Sequence, residues 1–217
     1  MGNLILQHWN GPLPEWARLA TATIEKYAKS CGADYHLETG YPMGKELGVL
    51  AQKLIFLDKK FDSYNEVLLL DTDMVATHIY DNVFHNVGVG RLHRKGMEKL
   101  EGSRNGRKWP HFWEHNYPMF FGNFVKLGVQ ERMQIREHLP PVEDFVKYKD
   151  QGEEPNDEII LSYMMRKAGL NMPHEVDHPR FCDLPEEAHR DATLIHFCGG
   201  RKRNIIGWMR ENRKDIL

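Results

Sequence analysis

The sequence predicts an α/β fold whose central sheet is mostly parallel and flanked by helices. Three observations predict it. Short apolar runs and segments of helical period alternate through the first 70 residues. The run Val67–Leu70 is apolar without a break, as a strand covered on both faces requires. The resulting strand–helix–strand order calls for crossover connections between parallel neighbours.

The elements follow in order. Residues 3–7, "NLILQ", read as a short buried strand. "GPLP" is a loop. From Glu15 to Cys31, Trp16, Leu19, Ala20, Thr23, Ile24, Tyr27 and Ala28 recur at helical spacing, and Gly32 stands where a C-terminal cap glycine belongs. "DYHLET" is a second strand. Residues 46–60 read as a helix with Leu47, Leu50, Leu54 and Leu57 on one face. Glu66–Leu70 is the third strand. Ligands of open α/β sheets bind beyond the carboxyl ends of the strands, so Gln7, His8 and Trp9 after the first strand and Asp71 and Asp73 after the third should open on one cleft. Residues 91–118 are basic, Gly-rich and aromatic, and read as an excursion that binds an acceptor or forms a lid. "MFFGNFVKLG" reads as a strand and "VQERMQIREHL" as a helix. "EEPNDEIILSYMMRKAG" is a helix begun at Asn156 or Asp157 and closed at Gly169. "ATLIHFCGG" is a strand running into a basic glycine loop.

The 217 residues suffice for one mixed domain with a sizeable core, divided into residues 1–90 and 91–217. The formal net charge of -2 offers no global basic field for nucleic acid. Three cysteines without a CxxC pair suit a reducing compartment, and "MGNLILQHWNGPLPEW" lacks the basic start and long apolar core of a secretory signal. No apolar run approaches the roughly 18 residues of a membrane span. These features together read as a cytoplasmic protein.

Two motifs carry the chemistry. Asp71-Thr72-Asp73 follows the apolar strand directly. Two carboxylates one residue apart in a turn can meet one hard divalent cation such as manganese or magnesium. The bland alternative is a strand-end loop whose aspartates cap the backbone. His196-Phe197-Cys198-Gly199-Gly200-Arg201-Lys202 follows a second apolar run, Leu194-Ile195. A neutral imidazole can complete a metal site begun by carboxylates. Glycines admit phosphate oxygens to backbone N–H groups, and Lys202 supplies positive charge to a departing diphosphate. Alone, this segment reads as a strand-to-helix turn with a solvated basic run. His78, His85 and His93 read as surface or loop residues, and Met164 and Met165 as helix core.

Taken together, the motifs resemble glycosyltransferases of the GT-A fold, especially the retaining glycogenin-like and bacterial galactosyltransferase-like group. In that group a "vlylDaD" strand precedes the metal-binding DxD, an "nldeLF" segment follows it, and "HfxGxxKPW" comes near the chain end. "LLLDTD", "HIYDNVF" and His196-x-x-Gly199-x-x-Lys202 match these over roughly residues 3–208. The family lysine in the helix before the strand matches Lys53. The size is also similar to small glycosyltransferase domains of large algal viruses, which would place the chain in the host cytoplasm. The resemblance implies a single GT-A domain with a Rossmann-like nucleotide-sugar-binding half, and a manganese or magnesium ion held by Asp71, Asp73 and His196. It implies a UDP-sugar donor touched by Gln7, His8, Trp9, Lys53, Asp71, Thr72, Gly122, Gly199 and Lys202, and a glycan or glycoprotein acceptor. Trp9 or His8 would stack on uracil, with a core-edge aromatic as the alternative for Trp9. Asp157, matching the family's "DQ" aspartate, would orient the sugar, and Glu158 replaces the Gln.

The sequence departs from the family pattern in two places. "KPW" reads Lys202-Arg203-Asn204, with Trp208 the nearest tryptophan, and the sugar-contacting Asn of "fNxG" reads Phe120. Arg91, Arg94, Arg104 and Arg107 could grip an acceptor or form a solvated loop. Two rival functions use the same residues. "LLLDTDMV" fits a phosphatase-type hydrolase with Asp71 as phosphoryl nucleophile. A non-catalytic nucleotide-sugar-binding module would also keep the cleft.

Overall fold

The computed structural model describes residues 1–78, 81–85, 90–92, 120–149, 157–170, 178–181, 185 and 191–215. The first strand, β1 (Leu4–Trp9), pairs in parallel with β2 (Asp34–Thr39) on one side and with β3 (Glu66–Leu70) on the other. A later strand, β6 (Phe120–Gly128), pairs antiparallel with β3, and β5 (Gly90–Leu92) pairs antiparallel with β6. The five-stranded order is β2-β1-β3-β6-β5. The expected parallel sheet is therefore its β2-β1-β3 half, and the later strands extend it antiparallel. A separate two-stranded sheet joins β4 (Met74–Ala76) to β7 (Leu194–His196), with Met74 opposite His196.

Alternate residues of the sheet enter two cores, which is why the central β3 is apolar from Val67 through Leu70. Leu4, Leu6, Val67, Leu69, Val125 and Leu127 pack on one face, against Leu54 and Phe56 and against Ile160, Leu161, Met164 and Met165. Ile5, Leu68, Leu70 and Phe124 face Ile24, Tyr27 and Ala28 of the first helix, α1 (Glu15–Ser30). Gly32 at φ +66° ends that helix in the left-handed region, where a glycine carries no steric penalty. The Tyr27 hydroxyl donates to the Asp81 carbonyl at 2.7 Å and accepts from the Val83 N–H at 3.1 Å, tying the segment after β4 to α1.

The predicted helix over 46–60 forms instead as 3-10 turns at Lys45–Leu47, Leu50–Leu57 and Lys59–Phe61. Gly48 at φ +74° interrupts it. The buried Gln52 side chain then stitches the loop, accepting from Met43 N–H and donating to the Gly44 and Gly48 carbonyls. The break rotates Leu50 outward to 42% exposure while Leu47, Leu54 and Leu57 stay buried.

The second half contributes α2 (Val129–Arg136), α3 (Val142–Lys149), α4 (Asp157–Lys167), a short α5 (His178–Phe181) and α6 (Ile205–Asn212). The buried Arg132 guanidinium of α2 donates to the Leu127 carbonyl of β6 and to the Phe61 and Tyr64 carbonyls of the turn before β3, tying that turn to β6. Arg213, also buried, bonds the Ala76 and Thr77 carbonyls and seats the segment after α6 against the end of β4. Residues 93–119, and with them Arg94, Arg104 and Arg107, lie outside the described residues, as does the side chain of Arg91. Among the described residues, no helix is long and apolar enough to cross a membrane.

Candidate active site

The turn after β3 is held from three directions. Asp71 N–H donates to the Asn123 carbonyl of β6 at 3.0 Å, and Met74 N–H donates back to the Asp71 carbonyl at 3.1 Å. The Gln7 amide nitrogen donates to the same carbonyl at 2.8 Å, while the Tyr35 hydroxyl donates to the other end of Gln7 at 2.9 Å. Gln7 is thus fully buried beneath the turn, since β1 continues through Trp9 rather than ending at residue 7. Gln7 is a strand residue, as the predicted strand over 3–7 has it, but its expected place in the cleft is corrected: it supports the Asp71 carbonyl and does not line the cleft.

The second sheet brings the other motif to the first. Phe197 N–H donates to the Asp73 carbonyl at 2.9 Å, which fixes the neighbouring His196 over the aspartates. Its Nε2 lies 3.2 Å from Asp73 Oδ1 and 3.9 Å from Asp71 Oδ2. One ligand atom from each of Asp71, Asp73 and His196 falls within 4.8 Å of the others. Asp73 Oδ1 is buried and has no hydrogen bond; its contact with His196 is close but poorly aligned for one. A buried carboxylate oxygen without a hydrogen bond is costly unless a cation meets it. Two carboxylates and an imidazole suit a divalent ion of the manganese or magnesium type, so the residues present fit a metal.

Gly199 at φ +62° turns the chain after β7 into a 3-10 segment, Gly199–Asn204. This returns Lys202 to the aspartates, with Nζ 3.1 Å from Asp73 Oδ2. Burial pushes the Asp73 carboxyl up, but the His196 contact and the Lys202 charge outweigh it and hold it below the usual range. Lys202 also stands over the Trp16 ring at 5.7 Å, and Trp16 meets Trp9 edge-on at 5.5 Å. The aromatic ring against Lys202 thus comes from α1. Trp208 packs elsewhere, against Phe197.

Lys53 sits on the opposite wall. Its Nζ donates to Asp71 Oδ1 at 2.8 Å and to the Gly122 carbonyl at 3.3 Å, and lies 2.6 Å from Asp157 Oδ2 at the start of α4. Burial alone would push this ammonium's pKa down. The charges of Asp157 and Asp71 outweigh burial and raise it. Gly122 has no side chain for a clear reason: a Cβ there would collide with Asp157 Oδ2 and press on Glu158 Cγ.

The cleft encloses about 250 Å³ and is lined by His8, Trp9, Asn10, Lys53, Asp71, Thr72, Asp73 and Lys202, with Val49 and Leu50 at its lip. His8 is anchored through Nε2 to the Gly40 carbonyl at 2.8 Å, and burial lowers its pKa. Trp9 donates through Nε1 to the Pro12 carbonyl at 3.1 Å. Of the residues predicted to touch a donor, His8, Trp9, Lys53, Asp71, Thr72 and Lys202 line this space. Gln7, Gly122 and Gly199 do not: Gln7 is buried under the turn, the Gly122 carbonyl accepts from Lys53, and Gly199 turns the chain toward Lys202.

Sequence reasoning assigned no role to Asn123 and read Trp16 only as part of the apolar face of the first helix. Asn123 Nδ2 lies 2.9 Å from His196 Nδ1. The only signal was a polar residue inside the apolar strand "FFGNFV". Glu158 accepts from Gly122 N–H at 2.9 Å, and burial together with the Asp157 charge pushes its carboxyl up to about 7. This Glu therefore binds more protons folded than unfolded between its ordinary 4.5 and about 7, and it costs stability as pH rises through that window. Glu158→Gln keeps the acceptor and removes the charge. It should match wild type near pH 4 and exceed it by roughly 3 kcal/mol near pH 8. Urea denaturation at the two pH values checks this; equal stabilities at pH 8 would count against the buried charge.

The fold is that of glycosyltransferases of the GT-A type. Among solved structures, the chain is similar to a glycosyltransferase involved in glycosylation of the major capsid of PBCV-1, at 14% identity and TM-score 0.57, covering 95% of this chain and 98% of that one. It is also similar to an active-site mutant of LgtC, at 9% identity and TM-score 0.55, covering 97% and 96%. No family model and no curated protein matches the sequence.

Proposed function

We propose that the chain is a metal-dependent glycosyltransferase that moves a sugar from a UDP-sugar to a hydroxyl of a glycan or glycoprotein, with retention. The observation that carries this reading is the convergence of Asp71, Asp73 and His196 beside Lys202, at the floor of a cleft walled by Trp9. One glycosyltransferase domain would span the chain, with residues 1–90 binding the nucleotide and 91–217 supplying the acceptor side, His196 and Lys202.

Asp71, Asp73 and His196 would hold a manganese or magnesium ion, which when bound offsets negative charge on a diphosphate. Lys202 adds positive charge at the departing phosphate, held in place by Asp73 and Trp16. Trp9 and His8 present ring surface to the base. In the transfer, the bond from the anomeric carbon to the diphosphate oxygen breaks and a bond to the acceptor oxygen forms on the same face. The acceptor proton passes to the departing phosphate. Asp157, fixed by Lys53, orients the sugar; under inversion Asp157 or Glu158 would act as the general base.

Isothermal titration of UDP, with GDP as control, with and without manganese, tests the reading. UDP binding that requires manganese is expected, together with slow manganese-dependent hydrolysis of the correct UDP-sugar. Binding without hydrolysis would favour the non-catalytic module. Metal-independent binding, or none to either nucleotide, would overturn the transferase reading and turn attention to phosphatase substrates.

A further inference from the structure

The geometry points to Asn123 as a positioning residue that sets His196 for metal binding; this rests on the metal-dependent reading above. Asn123 is 3% exposed on β6 and faces the turn after β3. Its two ends act on the two halves of the candidate metal site. The backbone carbonyl accepts from Asp71 N–H at 3.0 Å, fixing the first aspartate. The side-chain amide meets His196 Nδ1 at 2.9 Å, fixing the imidazole. His196 belongs to the small β4–β7 sheet and Asp71 follows a strand of the large one, so Asn123 joins the two sheets at the point where their ligands must meet.

The ring atom facing the carboxylates is Nε2. A metal ligand needs a lone pair there, so the proton must sit on Nδ1. An Asn123 amide turned with its carbonyl oxygen toward Nδ1 accepts that proton and orients the ring. Amide oxygen and nitrogen exchange places by a simple rotation, so the observed spacing serves this arrangement as well. Partners of this kind on the remote nitrogen of a ligating histidine typically contribute about 10–100-fold in metal affinity.

The test measures manganese dissociation constants, in the presence of UDP, for wild type, Asn123→Ala, Asn123→Asp and the same alanine change in a His196→Ala background. Asn123→Ala should weaken manganese binding about 10–100-fold. Asn123→Asp also accepts from Nδ1–H and should bind manganese at least as tightly as wild type. Without His196, the alanine change should have no further effect on affinity. Unchanged affinity in Asn123→Ala, a tenfold loss in Asn123→Asp, or an undiminished effect of the alanine change in the His196→Ala background would each overturn the role. Should Asn123→Ala fail to fold, the aspartate variant alone decides. Wild type that binds no manganese would instead remove the metal-dependent reading, and the Asn123 role with it.

Discussion

Asp73→Asn is expected to abolish manganese-dependent UDP binding and to reduce transfer on the order of 10³-fold, the scale for losing a group that stabilises developing charge. Three features make Asp73 the most sensitive position. It is 4% exposed, so solvent cannot take over the contacts of a missing carboxylate. Its Oδ1 lies buried without a hydrogen bond, facing His196. Its Oδ2 holds Lys202 at 3.1 Å, so one substitution would remove a proposed metal ligand and also release the lysine proposed to meet the diphosphate. The amide is nearly isosteric and leaves the backbone bonds at Asp73 intact. Folding should therefore persist by circular dichroism while titration shows no metal-linked nucleotide binding. Retention of that binding within threefold would show that the carboxylate charge is dispensable.

Lys53→Met should give the largest loss of stability, about 3–5 kcal/mol in urea denaturation at pH 7. The substitution keeps the aliphatic stem and deletes the cation between Asp71 and Asp157. Asp157 is 6% exposed and would remain as a buried charge beside Asp71. Burial and Asp71 already push its carboxyl up, and Lys53 is the group that opposes them. Without Lys53 the folded pKa of Asp157 rises further above its unfolded value. The folded variant then binds an extra proton, so its deficit against wild type should shrink as pH falls from 7 toward 5. A deficit under 1 kcal/mol, or one that grows on acidification, would show that the ion pair does not hold this wall. Lys53→Arg keeps the charge and should recover part of the loss.

The site's two motifs were legible because each follows an apolar run. Strand periodicity placed Asp71 and Asp73 at a strand end, and the same logic placed His196 after Leu194-Ile195. Gln7 was misplaced because β1 runs two residues beyond the predicted strand end at residue 7: His8 and Trp9 extend the pairing with β2. Leu50 was misplaced because helical spacing was carried across Gly48, whose positive φ breaks the phase. Asn123 could not be read as a partner of His196, since 73 residues separate them and neither lies on the other's strand.

The sequence by itself determined the alternating strand and helix order, the apolar runs buried on both faces, and the two polar motifs at strand ends. These depend on local periodicity and on the cost of burying charge, both of which act within a few residues. Only the tertiary structure decided which carboxylate meets which cation: Lys53 between Asp71 and Asp157, Lys202 on Asp73 and against Trp16, and His196 between the aspartates and Asn123. Those pairings depend on strand order and register across two sheets. Register is set by long-range packing, and a shift of one residue would turn each side chain to the opposite face.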